Sequence, residues 1–159
     1  MIKKATVLTH EDFLNFLESV PKIDLFSGKH RRPSMPAYEL QMLYKLLFYC
    51  ALKANDVVNL KKNDFDLENS FLTIKSTGNV PQNTTIPPIL WGDIKNFLKN
   101  KRDEEFLFVS KYTEKPVTRQ NVWEYAKDVG KLAGLNVFTV TQTKEIEGIS
   151  LLLFRESYQ

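Results

Sequence analysis

The sequence has 159 residues and a formal net charge of +3, with 43% hydrophobic and 26% charged residues. These values fit one globular domain, 1–159, with a full-sized core. No apolar run is long enough for a membrane span and no signal peptide opens the chain, so we expect a cytoplasmic protein. The single cysteine, Cys50, excludes an internal disulfide, and both histidines, His10 and His30, lie in the first fifth of the chain. No His/Cys cluster has metal-ligand spacing, so neither a metal nor a cofactor is expected.

The first predicted element is a helix that Thr9 caps, with Asp12 in the reciprocal capping position. Pro21 is expected to end this helix. Residues 22–36 are predicted to form a loop because glycine and proline interrupt any regular pattern. The apolar face of the helix is formed by Phe13, Phe16, Leu17 and Val20.

The most apolar helical pattern begins at Tyr38 and predicts a helix that is buried on most sides. A second, short helix is predicted over residues 54–60, with Asn55 as its N-cap. Lys53 lies in the turn between the two helices, and Asp56 follows it by three residues. The residues that recur on one face of the first of these helices are Leu40, Leu43, Tyr44, Leu47 and Ala51.

Alternation of residues between two faces predicts a β-hairpin next, with strands at 71–75 and 83–86 and a turn at 76–79. A helix is predicted to start at Pro87-Pro88, and a short buried strand at 106–109. Thr118 is predicted to cap a last helix, which Gly134 ends. Residues 137–143 predict an extended segment. The fold class is therefore α+β, a mostly helical domain with a small antiparallel β-hairpin or sheet.

The order of these elements resembles the catalytic domain of the tyrosine recombinases, or phage integrases. The resemblance rests on the capped first helix, the Leu52-Lys53 turn after the buried helix, the hairpin, the Thr118-Arg119 helix start and the string IEGISLLLFRESYQ at 146–159. It covers residues 9–158 and implies an integrase-like domain that binds double-stranded DNA. Neither the N-terminal arm domain of the family nor its C-terminal tyrosine helix is expected in this sequence.

The resemblance also implies a catalytic set, which departs from the family pattern. The family places an arginine that grips the scissile phosphate where this chain has Lys53, and Arg155 fills a second cationic position. The lysine of the family's hairpin turn falls on Thr77, so Lys75 is either a substitute for it or an ordinary exposed strand lysine. Leu152 stands in place of a histidine.

Two further features of the C-terminal string bear on activity. Glu156 replaces a second histidine of the family and would partly neutralise Arg155. Tyr158 is too close to Arg155 to be the nucleophile of the family, and is expected to be a packing residue. The resemblance thus implies a DNA-binding domain, related to site-specific recombination, that does not cleave DNA by itself.

Two other functions stay open at this stage. One is a recombinase fragment that another polypeptide completes in trans. The other is a protein-interaction module that self-associates through 151–154 and no longer binds DNA. Asp56 is an alternative partner for the amine of Lys53. The candidate DNA-binding residues are Lys29, Arg31, Arg32, Lys53, Lys61, Lys62, Lys75, Arg119 and Arg155.

Overall fold

The structure is a computed structural model that describes residues 10–22, 35–50, 52–75 and 80–135. Within these residues, turns of 3-10 helix occur at Val20–Lys22 and Lys62–Asp64. The described part of the chain contains no helix that is long and apolar enough to cross a membrane. The helices and strands are α1 (His10–Ser19), α2 (Ala37–Tyr49), α3 (Ala54–Val58), β1 (Phe65–Asp66), β2 (Phe71–Ile74), β3 (Gln82–Thr85), α4 (Pro88–Leu98) and α5 (Arg119–Leu132).

Helix α2 forms the centre of the core, as its apolar pattern predicts. Eight of its 13 residues are buried. The ring of Phe13, from α1, stacks on Phe48 with centroids 4.1 Å apart, and Phe16 meets Tyr44 edge-on at 5.0 Å. The hydroxyl of Tyr44 donates a hydrogen bond to the carbonyl of Val122 in α5 at 2.6 Å, and burial raises the pKa of Tyr44 well above its ordinary value. Helix α2 therefore holds α1 and α5 together.

The sheet has three antiparallel strands in the order β1-β2-β3. Strand β2 begins at the predicted residue and ends one residue earlier than predicted, and β3 begins and ends one residue earlier than predicted. Strand β1 was not predicted, because two residues are too few to show a period. It pairs Phe65 with Leu72 and Asp66 with Phe71. The mostly helical α+β class is confirmed, while the predicted turn at 76–79 lies outside the described residues.

The strand predicted at 106–109 is wrong. Two isolated bridges occur there instead, joining Lys61 to Phe106 and Val109 to Pro116. The two residues between Phe106 and Val109 are fully buried, so the apolar run correctly predicted burial. A short apolar run does not by itself distinguish a strand from other buried backbone.

Helix α5 has the predicted caps at both ends. The side chain of Thr118 accepts a hydrogen bond from the N–H of Asn121 at 3.0 Å, and Asn121 Oδ1 accepts one from the N–H of Thr118 at 3.2 Å. Gly134 follows the helix with φ +72°, in the left-handed region that favours glycine. The predicted cap of α1, Thr9, and the predicted extended segment at 137–143 lie outside the described residues.

Cys50 follows α2 directly and is only 2% exposed. Burial raises the pKa of Cys50 to about 12. Because the thiolate is the reactive form of cysteine, we expect the native chain to resist Ellman's reagent at neutral pH. Absorbance of the released thiolate, with and without denaturant, measures this. Full reaction should require unfolding, and rapid reaction of the native chain would contradict the buried position.

Candidate nucleic-acid interface

Lys53 is the N-cap residue of α3, and it is exposed. Its backbone N–H donates a hydrogen bond to Asp56 Oδ2 at 3.2 Å. The prediction that Asn55 caps this helix is wrong, because Asp56 at the third helical position satisfies the N–H of Lys53 and starts the helix at Ala54. The helix ends at Val58, two residues short of the predicted end.

The amine of Lys53 is not neutralised by Asp56. The contact between the two residues joins the backbone N–H to the carboxylate, and no described residue forms an ion pair with Lys53. Asp56 itself is buried, with only 7% of its surface exposed. The positive charge of Lys53 is therefore available to an anion at the start of α3.

The Lys53 turn has a counterpart eight residues further along the chain. The sequence Lys-Ala-Asn-Asp at 53–56 is followed by Lys-Lys-Asn-Asp at 61–64. In the second turn the N–H of Lys61 donates to Asp64 Oδ2 at 2.9 Å, as the N–H of Lys53 does to Asp56. Our sequence interpretation missed Asp64 as a site residue, although this repeat was the signal that could have identified it.

A groove of about 460 Å³ lies beside α3. It joins α3, the 3-10 turn and the end of β2, and it contains two predicted DNA-binding lysines, Lys61 and Lys75. Lys53 stands outside the residues that line it. The lining residues are Asn55, Asp56, Asn59, Leu60, Lys61, Asp64, Lys75 and Phe106.

The two lysines of the groove differ in their electrostatic surroundings. Lys61 Nζ lies 4.7 Å from the centroid of the Phe106 ring and forms no ion pair with any residue that the structure describes. Lys75 Nζ lies 2.9 Å from Asp64 Oδ1, in an ion pair. Among the described residues, no carboxylate compensates the charge of Lys61, whereas Asp64 compensates the charge of Lys75.

Two further predicted cations lie away from the groove. Lys62 Nζ donates a hydrogen bond to the carbonyl of Lys101 at 3.0 Å, which fastens the turn to the segment after α4. Arg119 is the exposed first residue of α5. Trp123, also on α5, packs against the core, with Lys127 Nζ 4.3 Å from its ring centroid. Arg119 is therefore a surface cation at a helix start.

Several predicted site residues lie outside the described residues. The convergence of Lys53 with Arg155 on one phosphate consequently stays a prediction. Among the described residues, the Lys53 turn precedes α3 and the Lys61 turn follows it. The predicted site residues outside the description are Lys29, Arg31, Arg32, Thr77, Leu152, Arg155, Glu156 and Tyr158.

A mostly helical domain with a three-stranded antiparallel sheet, and with an exposed cation in the turn after its buried helix, has the architecture of an integrase catalytic domain. The model of the phage integrase family matches residues 7–146. This match covers most of the chain. The chain therefore belongs to the phage integrase family, the tyrosine recombinases.

Relatives of known name support the same family. The tyrosine recombinase XerA of Pyrococcus furiosus is 27% identical over 134 residues, which cover 82% of this chain and 42% of that protein. XerA of Pyrococcus horikoshii is 31% identical over 101 residues, covering 61% of this chain and 35% of that protein. The chain thus spans less than half the length of these relatives.

Solved structures share the fold. The crystal structure of XerA recombinase matches with a TM-score of 0.63 and 17% identity, covering 98% of this chain and 50% of that one. XerH bound to its difH substrate before cleavage matches with a TM-score of 0.63 and 21% identity, covering 98% and 42%. A lambda integrase dimer bound to a COC′ core site matches with a TM-score of 0.58 and 13% identity. The match covers 98% of this chain and 61% of that one. At these identities the matches establish the fold alone.

Proposed function

We propose that this chain is a cytoplasmic, integrase-like domain that binds double-stranded DNA and does not cleave it by itself. The observation that carries the proposal is the position of Lys53. It is exposed at the N-cap of α3, and no described residue pairs with its amine. The resemblance to the family aligns it with the arginine that grips the scissile phosphate. A lysine there still offers a point charge to a DNA phosphate.

The proposed DNA surface extends from the Lys53 turn to the other candidate DNA-binding cations. Lambda integrase was solved bound to DNA and XerH bound to its difH substrate, which supports duplex DNA as the partner of this chain. Phosphate contacts of lysine and arginine position a protein on DNA without reading its sequence. Lys75 is left out of the set because of its ion pair with Asp64. The proposed contacts are Lys29, Arg31, Arg32, Lys53, Lys61, Lys62, Arg119 and Arg155.

The proposed lack of cleavage follows from the chemistry of the substituted positions. Lys53 keeps the charge of an arginine but loses its two-pronged hydrogen bond to phosphate. Leu152, which takes the place of a histidine, neither donates nor accepts a proton. Glu156 brings a negative charge next to Arg155 and weakens its attraction for phosphate.

A titration of a fluorescein-labelled DNA duplex, followed by anisotropy at several salt concentrations, tests the proposal. We expect the logarithm of the association constant to fall linearly with the logarithm of salt concentration, at about 0.9 per phosphate contact. With six or more contacts the affinity should fall about a thousandfold or more between roughly 50 and 200 mM salt. Absence of binding at low salt would contradict the proposal. Sedimentation at high concentration would then test self-association through 151–154.

A second candidate is a recombinase domain completed in trans. It is favoured by the similarity to the tyrosine recombinase XerA of Pyrococcus furiosus, which is 27% identical over 134 residues. Completion requires that a partner bring the tyrosine and also the proton-transfer group that Leu152 cannot supply. Mixing the chain with a partner polypeptide and a nicked suicide substrate should then give a covalent protein–DNA adduct on a denaturing gel. No adduct with any partner would contradict this candidate.

A further inference from the structure

Asp64 is a nearly buried carboxylate at the base of the groove beside α3. Its side chain is 6% exposed. Oδ2 accepts a hydrogen bond from the N–H of Lys61 at 2.9 Å, which fixes the carboxylate to the 3-10 turn. Oδ1 lies 2.9 Å from Lys75 Nζ, at the end of β2. One carboxylate therefore ties together two walls of the groove.

The second oxygen of Asp64 depends on Lys75 for its stabilisation. Oδ1 is buried and accepts no aligned hydrogen bond from the residues described, so the contact with Lys75 Nζ is one of charge with charge. A buried carboxylate is costly without a counter-charge, and the attraction is stronger here than in bulk water because one partner is shielded from solvent. Moving the amine of Lys75 away would leave Asp64 charged and uncompensated.

Lys75 would otherwise be a free cation beside the proposed DNA surface. Its side chain is 61% exposed, so the amine reaches solvent at the rim of the groove. Lys61, on the opposite wall, contacts the ring of Phe106 and meets no carboxylate of a described residue. The two lysines therefore differ in that the amine of Lys75 pairs with Asp64.

We propose that Asp64 is a charge-compensating residue that withholds Lys75 from DNA. By pairing with the amine at the wall of the groove, Asp64 keeps this part of the surface neutral and leaves phosphate binding to Lys53 and Lys61. The proposal rests on the proposed DNA-binding function. It assigns Lys75 neither a catalytic role nor a phosphate contact in the native chain, and it makes Asp64 a determinant of DNA affinity.

The variant Asp64→Asn tests this assignment. Asparagine keeps an oxygen that accepts the N–H of Lys61, so the turn is retained while the negative charge is lost. Released from its partner, Lys75 should add one phosphate contact, giving about eightfold tighter duplex binding at roughly 0.1 M salt and a salt slope steeper by about one. Lys75→Gln should shift binding the opposite way, and the double variant should return close to wild type.

Asp93→Asn is the matched control. Asp93 also pairs with a lysine, Lys45, at 3.0 Å, but neither residue lines the groove. We expect this variant to change duplex affinity by less than about twofold. If Asp64→Asn weakens DNA binding, Lys75 is a phosphate ligand that Asp64 positions, and the proposal is overturned. If Asp64→Asn and Asp93→Asn have equal effects, compensation at the groove is likewise overturned.

Urea unfolding of the same variants separates this proposal from the DNA-binding function. Asp64→Asn, Lys75→Gln and the double variant form a cycle that needs no DNA. We expect Lys75→Gln to lower the unfolding midpoint in the wild-type background and to change it little in the Asp64→Asn background. Additive shifts would overturn the compensating pair. Absence of DNA binding by the wild type, with a non-additive cycle, would overturn the proposed function and the role in DNA affinity while supporting the ion pair.

Discussion

Replacing Phe13 with alanine is expected to destabilise the domain by about 3–5 kcal/mol, the usual cost of removing a fully buried phenylalanine. Phe13 has no exposed surface. Its ring lies parallel to that of Phe48, with an interplanar angle of 5°, and meets Tyr49 edge-on with centroids 5.6 Å apart. The shorter side chain would lose these contacts and leave a cavity between α1 and α2. Because the marginal stability of a domain is of similar size, we expect much of the folded population to be lost.

Chemical denaturation followed by circular dichroism measures the effect. Leu14→Ala, at the next position of α1, is the control, because Leu14 is 45% exposed. We expect that change to cost less than about 1 kcal/mol. Equal losses for Phe13→Ala and Leu14→Ala would contradict the docking of α1 on α2 through Phe13.

The buried faces of the longer helices were predictable from the sequence. Apolar residues at helical spacing identify Phe13 and Phe16 in α1, Leu43 in α2 and Val122 in α5, and all four are buried. A helix of three or four turns shows the period more than once, and its apolar face has only one place to be buried. The same reasoning predicted the start of β2 at Phe71 and placed its end within one residue.

Short elements were not predictable, because one or two specific contacts decide them. Strand β1 has two residues, and its pairing with β2 defines it. The start of α3 is set by the hydrogen bond between Lys53 and Asp56, which outweighs the preference of Asn55 for a cap position. In both cases a single bond or register fixes the backbone, and propensity is a weaker guide.

The site was predictable in part, for a related reason. Resemblance to the family identified Lys53, whose place depends on a local turn. The pairing of Lys75 with Asp64 depends on the register in which Phe65 faces Leu72. Continued by one residue, that register sets Asp64 opposite Thr73. Lys75 lies two residues beyond Thr73 on the same face of the strand. Asp64 and Lys75 are therefore diagonal neighbours, at a separation that a long side chain spans. Without β1 there was no register from which to predict the pair.

The charge of Lys53 is expected to contribute strongly to DNA affinity. Lys53→Ala removes one proposed phosphate contact, which should weaken duplex binding about eightfold at roughly 0.1 M salt and lower the salt slope by about one. Lys53→Glu also adds a negative charge that repels phosphate. Two successive eightfold losses should weaken duplex binding roughly sixtyfold. Preference among DNA sequences should stay the same, because phosphate contacts carry no base information.

Anisotropy titrations of both variants against several duplexes measure these effects, and Lys95→Glu is the matched control. Lys95 lies on the exposed side of α4, so this variant changes the net charge as Lys53→Glu does but does not touch the turn before α3. A comparable loss in Lys95→Glu would mean that overall charge, and not the Lys53 turn, governs binding. A different result would contradict this prediction: both Lys53 variants bind as wild type, while replacing Lys29, Arg31 and Arg32 abolishes binding. The DNA would then contact the segment 22–36, and the turn before α3 would not be the phosphate site.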